Sequence, residues 1–345
     1  MSEPLKNTHS TTGQPESSNG RLVDSFGREI RYVRLSVTDR CNLRCTYCMA
    51  EDMTFLPKSK VLSLEEMALV SKAFVELGVE KIRLTGGEPL VRNGVVELAQ
   101  ELNKLDGLRE LVMTTNAVLL DKFAQPLQQA GVSRINVSID SLREDRFKAL
   151  TRFGQLSDVI RGIDAAREAG FERIKLNAVI LNGVNDDEVV SLTQFAVDKG
   201  VDISFIEEMP LGEIDSHLRT KTALSSQSIS EQLLQNFDLQ DSEHHDPASG
   251  PSRYKKIVGT DSKVGFISPM SNNFCASCNR VRITAEGQLL LCLGNEHSLD
   301  LRDIVRNEPE SLKSAIIDSM TRKPEKHYFD PNDITITRHM SVTGG

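Results

Sequence analysis

The six cysteines of the chain fall into two groups of three, one near each end of the sequence. The first group is Cys41, Cys45 and Cys48, with the spacing C-x3-C-x2-C and no other cysteine or histidine nearby. Thiolates hold iron–sulfur clusters, and a four-iron cluster held by only three of them leaves one iron open to an external ligand. We therefore expect a [4Fe-4S] cluster here. A zinc site or three buried free thiols are the alternatives.

The second group is Cys275, Cys278 and Cys292, and it again offers three thiolates. His297 follows shortly after, so a closed Cys3His zinc site is a real alternative to an iron–sulfur cluster. Arg280 and Arg282 come directly after Cys278 on a predicted strand, where alternate residues point the same way. Two guanidinium groups beside thiolates suit an anionic ligand, although a solvated strand face would look the same in sequence.

The string Thr85-Gly86-Gly87-Glu88-Pro89 follows the next predicted strand after the first cysteine group. Glycine lets a backbone approach a ligand closely, and Glu88 is expected to place negative charge near an ammonium group. Together with C-x3-C-x2-C, the string resembles the radical S-adenosylmethionine superfamily. The resemblance implies that the open iron binds the methionine moiety and that the reduced cluster splits the sulfonium to yield a 5′-deoxyadenosyl radical.

From about Asp24 to its end, the sequence is similar to the GTP 3′,8-cyclase family of molybdenum cofactor biosynthesis. The shared strings are CNxRCxYC, TGGEP, TTN at Thr114, INVSID, FIE with Met209, FCxxC followed by Arg-x-Arg, and Gly344-Gly345. The resemblance implies two [4Fe-4S] clusters that use all six cysteines. It also implies that the open iron of the second cluster binds guanine, which leaves His297 outside the ligand set.

Further site residues follow from this resemblance alone. The S-adenosylmethionine contacts correspond to Tyr47, Gly87, Ser138 and Met209. The GTP contacts correspond to Arg34, Arg83, Thr114, Lys175 and the segment Arg280, Val281 and Arg282. Gly344 and Gly345 would form a flexible tail that reaches the active site and takes part in catalysis.

The implied reaction is that of a lyase. The radical abstracts the 3′ hydrogen of GTP, and the resulting carbon radical attacks C8 to give (8S)-3′,8-cyclo-7,8-dihydroguanosine 5′-triphosphate after reduction. The implied partners are a reducing electron donor, cyclic pyranopterin monophosphate synthase as the downstream enzyme, and a second copy of the chain in a homodimer.

Two positions depart from the family pattern. Ser204 stands where an arginine commonly precedes Phe-Ile-Glu, so one cationic contact near the substrate is missing or supplied elsewhere. Ala117 stands where glycine usually follows TTN, and we expect it to need an ordinary backbone conformation.

The elements that must position these groups alternate between short apolar runs and helical patterns. Strands are predicted at Val33–Val37, Lys81–Leu84, Glu110–Thr114, Arg134–Ile139, Ile174–Ile180 and Asp202–Ile206. Amphipathic helices are predicted between them, most clearly over Ser63–Leu77, where Ser63 and Glu66 form a capping box. Six strand–helix units predict a parallel sheet in a partial (βα)6 TIM-type barrel, with ligands at the carboxyl ends of the strands. A doubly wound open sheet is the alternative.

Domain organisation follows from the same pattern. Residues 1–21 are rich in Ser, Thr and Gly and are predicted to be a disordered tail. Residues 22–240 form the radical SAM partial barrel, and residues 241–345 form a C-terminal α+β layer that closes the barrel and carries the second cluster. In that layer an exposed loop is predicted at 241–252. Short strands follow at Val264–Ser268, Val281–Thr284 and Leu289–Cys292, and helix extends to about Arg322.

Composition narrows the function classes. The formal net charge is −8, so the chain lacks the basic excess of a nucleic-acid binder. No apolar run is long enough to span a membrane, and no secretory signal is present, which favours the cytoplasm. Two other functions stay open on the residues alone: a radical peptide-modifying enzyme, and a zinc-binding interaction protein in which both cysteine groups are structural.

Overall fold

The computed structural model of the chain describes residues 20–212, 222–242, 247–330 and 336–344. The tail predicted over residues 1–21 therefore falls almost wholly outside the described residues, and so does Gly345. Within the described segments no helix combines the length and the apolar character that crossing a bilayer requires.

Twelve strands form one continuous sheet in the described part of the chain. In chain order they are β1 (Tyr32–Ser36), β2 (Lys81–Thr85), β3 (Glu110–Thr115), β4 (Arg134–Ser138), β5 (Arg173–Val179), β6 (Asp202–Ile206), β7 (Leu239–Asp241), β8 (Arg253–Ile257), β9 (Lys263–Ile267), β10 (Arg280–Ile283), β11 (Gln288–Leu290) and β12 (Ser298–Asp300). Their spatial order is β12-β11-β10-β1-β2-β3-β4-β5-β6-β9-β8-β7.

The centre of the sheet is parallel, as the alternation of strands and helices predicts. Strands β1 to β6 lie side by side in sequence order, each parallel to its neighbour. This confirms the partial barrel. The C-terminal region attaches by continuing the sheet at both edges: β10 pairs parallel with β1, and β9 pairs parallel with β6. The domain boundary expected near residue 240 stays a prediction.

Helices cover the outside of the sheet, except for the last short one, which lies on the wall of the interior cavity. They are α1 (Leu64–Glu76), α2 (Val95–Asn103), α3 (Leu120–Gln129), α4 (Glu144–Thr151), α5 (Leu156–Ala169), α6 (Val189–Lys199), α7 (Ser226–Leu234), α8 (Leu301–Asn307), α9 (Leu312–Ser319) and α10 (Met340–Thr343). Helix α1 begins with the predicted capping box: Ser63 Oγ accepts from the Glu66 amide, and a Glu66 carboxylate oxygen accepts from the Ser63 amide. The box satisfies two amide donors that a helix start otherwise leaves unpaired.

Side chains of each strand alternate between the core and the barrel interior. In β1, Val33 and Leu35 are fully buried in the apolar core under the helices. Tyr32 and Arg34, the alternate residues, line a cavity on the other face. The period of two thus produces an interior that is lined largely by polar and charged groups.

The register aligns the charged residues into rows across the strands. Arg34 pairs with Arg282 of β10 on one side and with Arg83 of β2 on the other. Two residues before Arg34 on the same strand, Tyr32 lies between Arg280 of β10 and Lys81 of β2. Adjacent strands are about 4.8 Å apart, so each row forms a compact cationic strip.

Three short strands were not predicted from the sequence: β7, β8 and β12. Strands β7 and β8 form an antiparallel pair that extends the sheet beyond β9. The loop expected at 241–252 to be exposed is only partly so. In its described part, residues 247–252 form no strand or helix, Ala248 is buried, and Pro247 and residues 249–252 line the cavity.

Candidate functional site

A single cavity of about 1180 Å³ lies inside the barrel and contains the predicted site residues. Its walls include all six cysteines and every predicted S-adenosylmethionine and GTP contact: Cys41, Cys45, Cys48, Cys275, Cys278, Cys292, Tyr47, Gly87, Ser138, Met209, Arg34, Arg83, Thr114, Lys175, Arg280, Val281 and Arg282. Val281 has its side chain in the apolar core, so only its main chain faces the cavity.

The two cysteine groups lie at opposite ends of the same strands. Cys41, Cys45 and Cys48 follow β1, at the carboxyl ends of the parallel strands. Cys275 and Cys278 precede β10, which is parallel to β1, so they lie at the amino ends. Cys292 follows β11, which is antiparallel to β10 and returns it to that same end. The five residues of β1 span about 16 Å, which leaves room for two ligands between the groups.

The first triad has donors directed at its sulfur atoms. Cys41 Sγ lies 3.4 Å from the amide N of Leu43 and 3.8 Å from Nδ2 of Asn116. Asn116 also donates to Oδ1 of Asn42 at 2.8 Å, which fixes its amide beside the loop. Burial raises the pKa of the Cys41 thiol to about 11 and that of Cys48 to about 12, so neutral thiols persist there until metal displaces their protons. Three thiols that face a cavity beside N–H donors fit an iron–sulfur cluster with an open iron.

The Gly-Gly-Glu-Pro turn packs against the cysteine loop. A Cβ on Gly87 would lie 2.4 Å from the carbonyl oxygen of Arg40, and one on Gly86, at φ 152°, would lie 2.5 Å from that of Thr38. The glycines therefore allow two backbones to touch, whereas the sequence suggested a close approach to a ligand. The Gly87 amide still lines the cavity while donating to Thr38 O at 2.8 Å.

Glu88 is engaged by groups of the chain itself, and its expected role beside an ammonium group stays a prediction. Its carboxylate is buried and accepts hydrogen bonds from Leu90 N, Thr115 Oγ1 and Asn116 N, at 3.1, 2.7 and 2.7 Å. Burial raises the pKa of Glu88 to about 7, although the three hydrogen bonds act in the opposite direction by stabilising the carboxylate. Glu88 thus ties the end of β3 to the turn after β2, and through Asn116 it acts on the first triad.

Tyr47 is held by an acid that the sequence did not single out as a site residue. Its hydroxyl donates to Asp140 Oδ2 at 2.6 Å, and the amide of Val179 donates to Asp140 Oδ1 at 2.8 Å. Asp140 is buried next to the cavity, and burial raises its pKa to about 6. The contact locks the ring of Tyr47 between the ends of β4 and β5, close to Ser138.

Cations surround Tyr32 in the middle of the cavity. Arg83 donates from Nε to the Tyr32 hydroxyl and from Nη1 to Thr114 Oγ1 at 3.0 Å. Burial alone would raise the pKa of Tyr32, but Arg83, Arg34 and Lys81 outweigh it and lower the pKa to about 7. A polyphosphate would offset the positive charge that gathers around this ring.

Carboxylates neutralise only part of this positive charge. Glu110 forms ion pairs with Lys81 and Arg134, and Asp202 pairs with Arg173 at 2.7 Å. In the described part of the chain, by contrast, no carboxylate pairs with Arg83, Arg280 or Arg282. Among the described residues, the cations without a carboxylate partner are therefore Arg83 of β2 and Arg280 and Arg282 of β10, on either side of β1.

Ser204 is fully buried and bonds to Ser252, with 2.9 Å between the two Oγ atoms. The strand segment after Ser252 brings Tyr254 over Lys175, whose Nζ lies 3.2 Å from the Tyr254 hydroxyl. The volume near Ser204 is also limited by Gly265, where a Cβ would lie 2.5 Å from Ser204 Oγ. Small hydroxyl residues thus fill the place that a long cation would occupy, and Lys175 is the nearby charge.

The second triad is bordered by buried cations. Nζ of Lys323 lies 3.7 Å from Cys278 Sγ and donates to the carbonyls of Arg280 and Leu291 at 3.1 and 2.6 Å. Burial alone would raise the pKa of Cys278, yet Lys323, Arg280 and Arg28 lower it below its ordinary value. Positive charge beside these sulfur atoms fits an anionic iron–sulfur cluster.

Zinc fits the second triad less well. Nowhere in the described ranges do three His, Cys, Asp or Glu side chains gather at the spacing that a single metal ion needs. Tetrahedral zinc sites hold four donors at about 2.0–2.3 Å from one ion. His297 is also absent from the walls of the cavity that Cys275, Cys278 and Cys292 share.

The C-terminal segment returns to the cavity. Helix α10 places Ser341 on its wall, and the Gly344 carbonyl accepts a hydrogen bond from Arg282 Nη1. Gly344 has φ 77°, and a Cβ there would lie 2.4 Å from Thr85 Cγ2. Glycine is therefore required for the segment to fit against the end of β2.

Two family models match the chain. The model described as Radical SAM superfamily covers residues 35–196, and the one described as Molybdenum Cofactor Synthesis C covers residues 201–329. The GTP 3′,8-cyclase of Saccharophagus degradans is 55% identical over 331 residues, which cover 95% of this chain and 99% of that protein. That of Pseudomonas putida strain W619 is 55% identical over 96% of this chain and all of its own length.

The chain belongs to the GTP 3′,8-cyclase family.

Solved structures support the fold of this family member. SuiB from Streptococcus suis, bound to S-adenosylmethionine, superposes with a TM-score of 0.58 over 82% of this chain and 65% of SuiB, at 14% identity. Its complex with the precursor peptide SuiA gives a TM-score of 0.57 at 16% identity. At these sequence identities the likeness supports the barrel fold alone and says nothing about the substrate of this chain.

Ala117, a departure from the usual sequence of the GTP 3′,8-cyclase family, keeps the backbone shape that glycine would give. Its φ is 62°, so the expectation of an ordinary conformation is wrong. Its amide donates to Thr115 Oγ1 at 3.0 Å, and the Val118 amide donates to Asn116 Oδ1 at 3.1 Å. These two side-chain turns hold the left-handed residue in place despite its methyl group.

Sequence reasoning missed several residues that line or support this family member's cavity, namely Tyr32, Lys81, Asp140, Tyr254 and Lys323. Alternation along the strands could have found the first two, because each lies two residues before a predicted cationic contact. Nothing in the local sequence marks Lys323, since only the folding of distant segments brings it to the second triad.

Proposed function

We propose that the chain is a radical S-adenosylmethionine enzyme that converts GTP into (8S)-3′,8-cyclo-7,8-dihydroguanosine 5′-triphosphate for molybdenum cofactor biosynthesis. One observation carries the proposal beyond family membership: a single cavity has one cysteine triad at each end and a strip of cations between them. A nucleoside triphosphate is complementary in charge to that strip. Its proposed conversion would use the cluster at each end of the cavity, one for the radical and one for the purine.

The proposed ligand assignments follow the two ends of the strands. Cys41, Cys45 and Cys48 would hold one [4Fe-4S] cluster, and Cys275, Cys278 and Cys292 the other. S-adenosylmethionine would lie near the first, against Tyr47, Gly87, Ser138 and Met209. The proposal is supported by the common wall that these residues form and by the Asp140 hydrogen bond that orients Tyr47.

GTP would lie between the triads with its base toward the second. Arg34, Arg83, Thr114 and Lys175, with the segment Arg280–Val281–Arg282, would hold it. Burial and the neighbouring cations lower the pKa of Arg34 to about 10, and a bound triphosphate would relieve that crowding. The hydrogen bond from Arg282 to the Gly344 carbonyl supports a catalytic role for the tail of Gly344 and Gly345, of which Gly345 lies outside the described residues.

The first cluster and S-adenosylmethionine supply the radical chemistry when bound. The chain's own contribution is position. Cations on adjacent strands would hold the phosphates, and the cysteines of the second triad would hold the cluster that binds the purine, so that the ribose is positioned for attack of C3′ on C8. The buried walls keep water from the reactive carbon, so that the new bond to C8 forms before other hydrogen donors intervene.

The test is anaerobic purification followed by assays with and without GTP. We expect iron and acid-labile sulfide near two [4Fe-4S] clusters per chain, GTP-dependent cleavage of S-adenosylmethionine, and a product of GTP mass with a new C3′–C8 bond. Cys278→Ser should abolish the product, whereas Ser277→Ala, an exposed change in the same loop, should not. Zinc without sulfide, or cleavage that depends on a peptide, would overturn the proposal.

The remaining partners rest on the family resemblance rather than on contacts within the chain. We propose a low-potential electron donor, transfer of the product to cyclic pyranopterin monophosphate synthase, a homodimer, and a location in the cytoplasm. A net charge of −8 is consistent with the absence of nucleic acid among the ligands.

A further inference from the structure

Lys323 is a buried lysine whose ammonium group has no carboxylate partner in the described ranges. The residue is only 2% exposed. Its Nζ contacts two main-chain carbonyls and one sulfur atom, those of Arg280, Leu291 and Cys278. A buried charge is costly unless an opposite charge or a metal site compensates it, and carbonyls supply only partial charge.

The three contacts of Lys323 join the segments that carry the second triad. Arg280 lies two residues after Cys278, and Leu291 immediately precedes Cys292. One ammonium group therefore links both branches of the ligand set, with the third contact on a ligand sulfur itself. The arrangement places the charge where the thiolates and the cluster converge.

A second cation near the triad is arranged differently. Arg28 donates from Nη1 to the Cys275 carbonyl at 2.9 Å and from Nη2 to the Pro324 carbonyl at 2.6 Å. Its own charge is balanced, because Nε forms a buried ion pair with Asp24 at 2.6 Å. Arg28 thus fastens the loop with its charge largely balanced by Asp24, whereas Lys323 has no carboxylate partner among the described residues.

We propose that Lys323 is the counter-charge of the second cluster: it fastens the ligand segments and makes the cluster easier to reduce. A [4Fe-4S] unit with three thiolates becomes more negative on reduction, so a nearby cation stabilises the reduced form more than the oxidised form. N–H donation to a ligand sulfur acts in the same direction. The inference depends on the second triad holding a cluster, but not on GTP being the substrate.

The test uses the full chain with its first triad replaced by serine, so that only the second cluster contributes to the spectra. The reduction midpoint is measured by an EPR-monitored titration in the absence of GTP and S-adenosylmethionine. Lys323→Met keeps the length of the side chain and removes its charge, and it should shift the midpoint to a more negative potential. Lys323→Arg should return it towards the parent value.

Lys326→Met is the matched control, because Lys326 is exposed three residues further along the same segment. It should leave the midpoint unchanged. An unchanged midpoint in fully loaded Lys323→Met protein would overturn the proposal. If Lys323→Met instead loses iron at the second triad, recovery of iron by Lys323→Arg supports the counter-charge, and no recovery refutes it.

The same variants in the chain with both triads provide an internal comparison. The midpoint of the first cluster should not move, since the hydrogen-bond contacts of Lys323 with described residues all lie on segments of the second triad. A shift of both clusters together would indicate a general loss of structure and would count against the proposal. Because no substrate enters the measurement, failure of the GTP assay and failure of this inference are separate results.

Discussion

Replacing Gly87 by alanine should separate the Gly-Gly-Glu-Pro turn from the first cysteine loop. The added Cβ would lie 2.4 Å from the Arg40 carbonyl oxygen, while ordinary contacts begin at 3.4 Å. The obstacle is backbone, which no rotamer change can move aside. The two segments must therefore part by about 1 Å, which is typical of an overpacked site.

That displacement breaks specific hydrogen bonds. Gly87 N donates to Thr38 O, and Glu88 N donates to Arg40 O, both at 2.8 Å. An extra 1 Å takes each beyond hydrogen-bond range, at a cost of about 1 kcal/mol apiece. With about 1–3 kcal/mol of overpacking in addition, the free energy of unfolding should fall by about 3–5 kcal/mol.

The assay is urea denaturation of the metal-free chain, followed by measurement of iron in the anaerobically loaded protein. Gly87→Ala should lower the unfolding free energy and deplete the first cluster, while the second cluster still loads. Gly250→Ala is the control, because nothing lies within 4 Å of its added Cβ. Equal unfolding curves and full iron in Gly87→Ala would show that the turn and the loop do not depend on this contact.

Three further predictions concern other parts of the site. Burial raises the pKa of Glu88 to about 7, above the ordinary 4.5 of the unfolded chain, so folding binds a proton and the unfolding free energy should fall as the pH rises from about 4.5 to about 7. Glu88→Gln should remove that dependence in urea titrations at several pH values, and an unaltered slope would contradict it. Tyr254→Phe removes the hydroxyl that holds Lys175 and should raise the KM for GTP about 2- to 10-fold, with kcat little changed; an equal loss in kcat would argue for a different role. Deleting Gly344 and Gly345 should leave folding and both clusters intact but abolish turnover, and normal product formation by the truncated chain would refute the catalytic tail.

The architecture could be predicted because its signals are local. Strand alternation and the helix cap at Ser63 depend on neighbouring residues, and the six central strands appear within a residue or two of their expected ends. The convergence of the first triad and the strand-end residues around it could also be predicted, whereas the place of the second triad at the opposite ends of the strands could not. Parallel strands bring their carboxyl ends together, and the Arg280–Arg282 pair lies on one face of β10 as its spacing indicates.

The roles of Gly87 and Glu88 could not be read from their types. A glycine beside a ligand and a glycine beside another backbone have the same sequence, and only the position of Arg40 distinguishes them. A glutamate can neutralise an ammonium or accept amide hydrogens, and the choice depends on where Asn116 lies. Each of these is decided by a segment distant in the chain.

The prediction of an ordinary backbone conformation for Ala117 was wrong for a related reason. Intrinsic preference disfavours the left-handed region for alanine, but the side chains of Thr115 and Asn116 accept hydrogen bonds from the amides of Ala117 and Val118 and hold the backbone there. Gly162 on α5 contributes as well, since a Cβ at that position would lie 2.3 Å from the Ala117 carbonyl oxygen. Tertiary packing thus overrides propensity at the point where the chain leaves β3.

The paired rows of Arg34 with Arg83 and Arg282 make the strands intolerant of insertion or deletion in a way that the loops are not. Removing one residue from β1 would reverse its alternation, turning Arg34 towards the helices and Leu35 towards the cavity. Length variation among relatives should therefore collect in the connections, while the number of residues between the first triad and Arg34 stays constant.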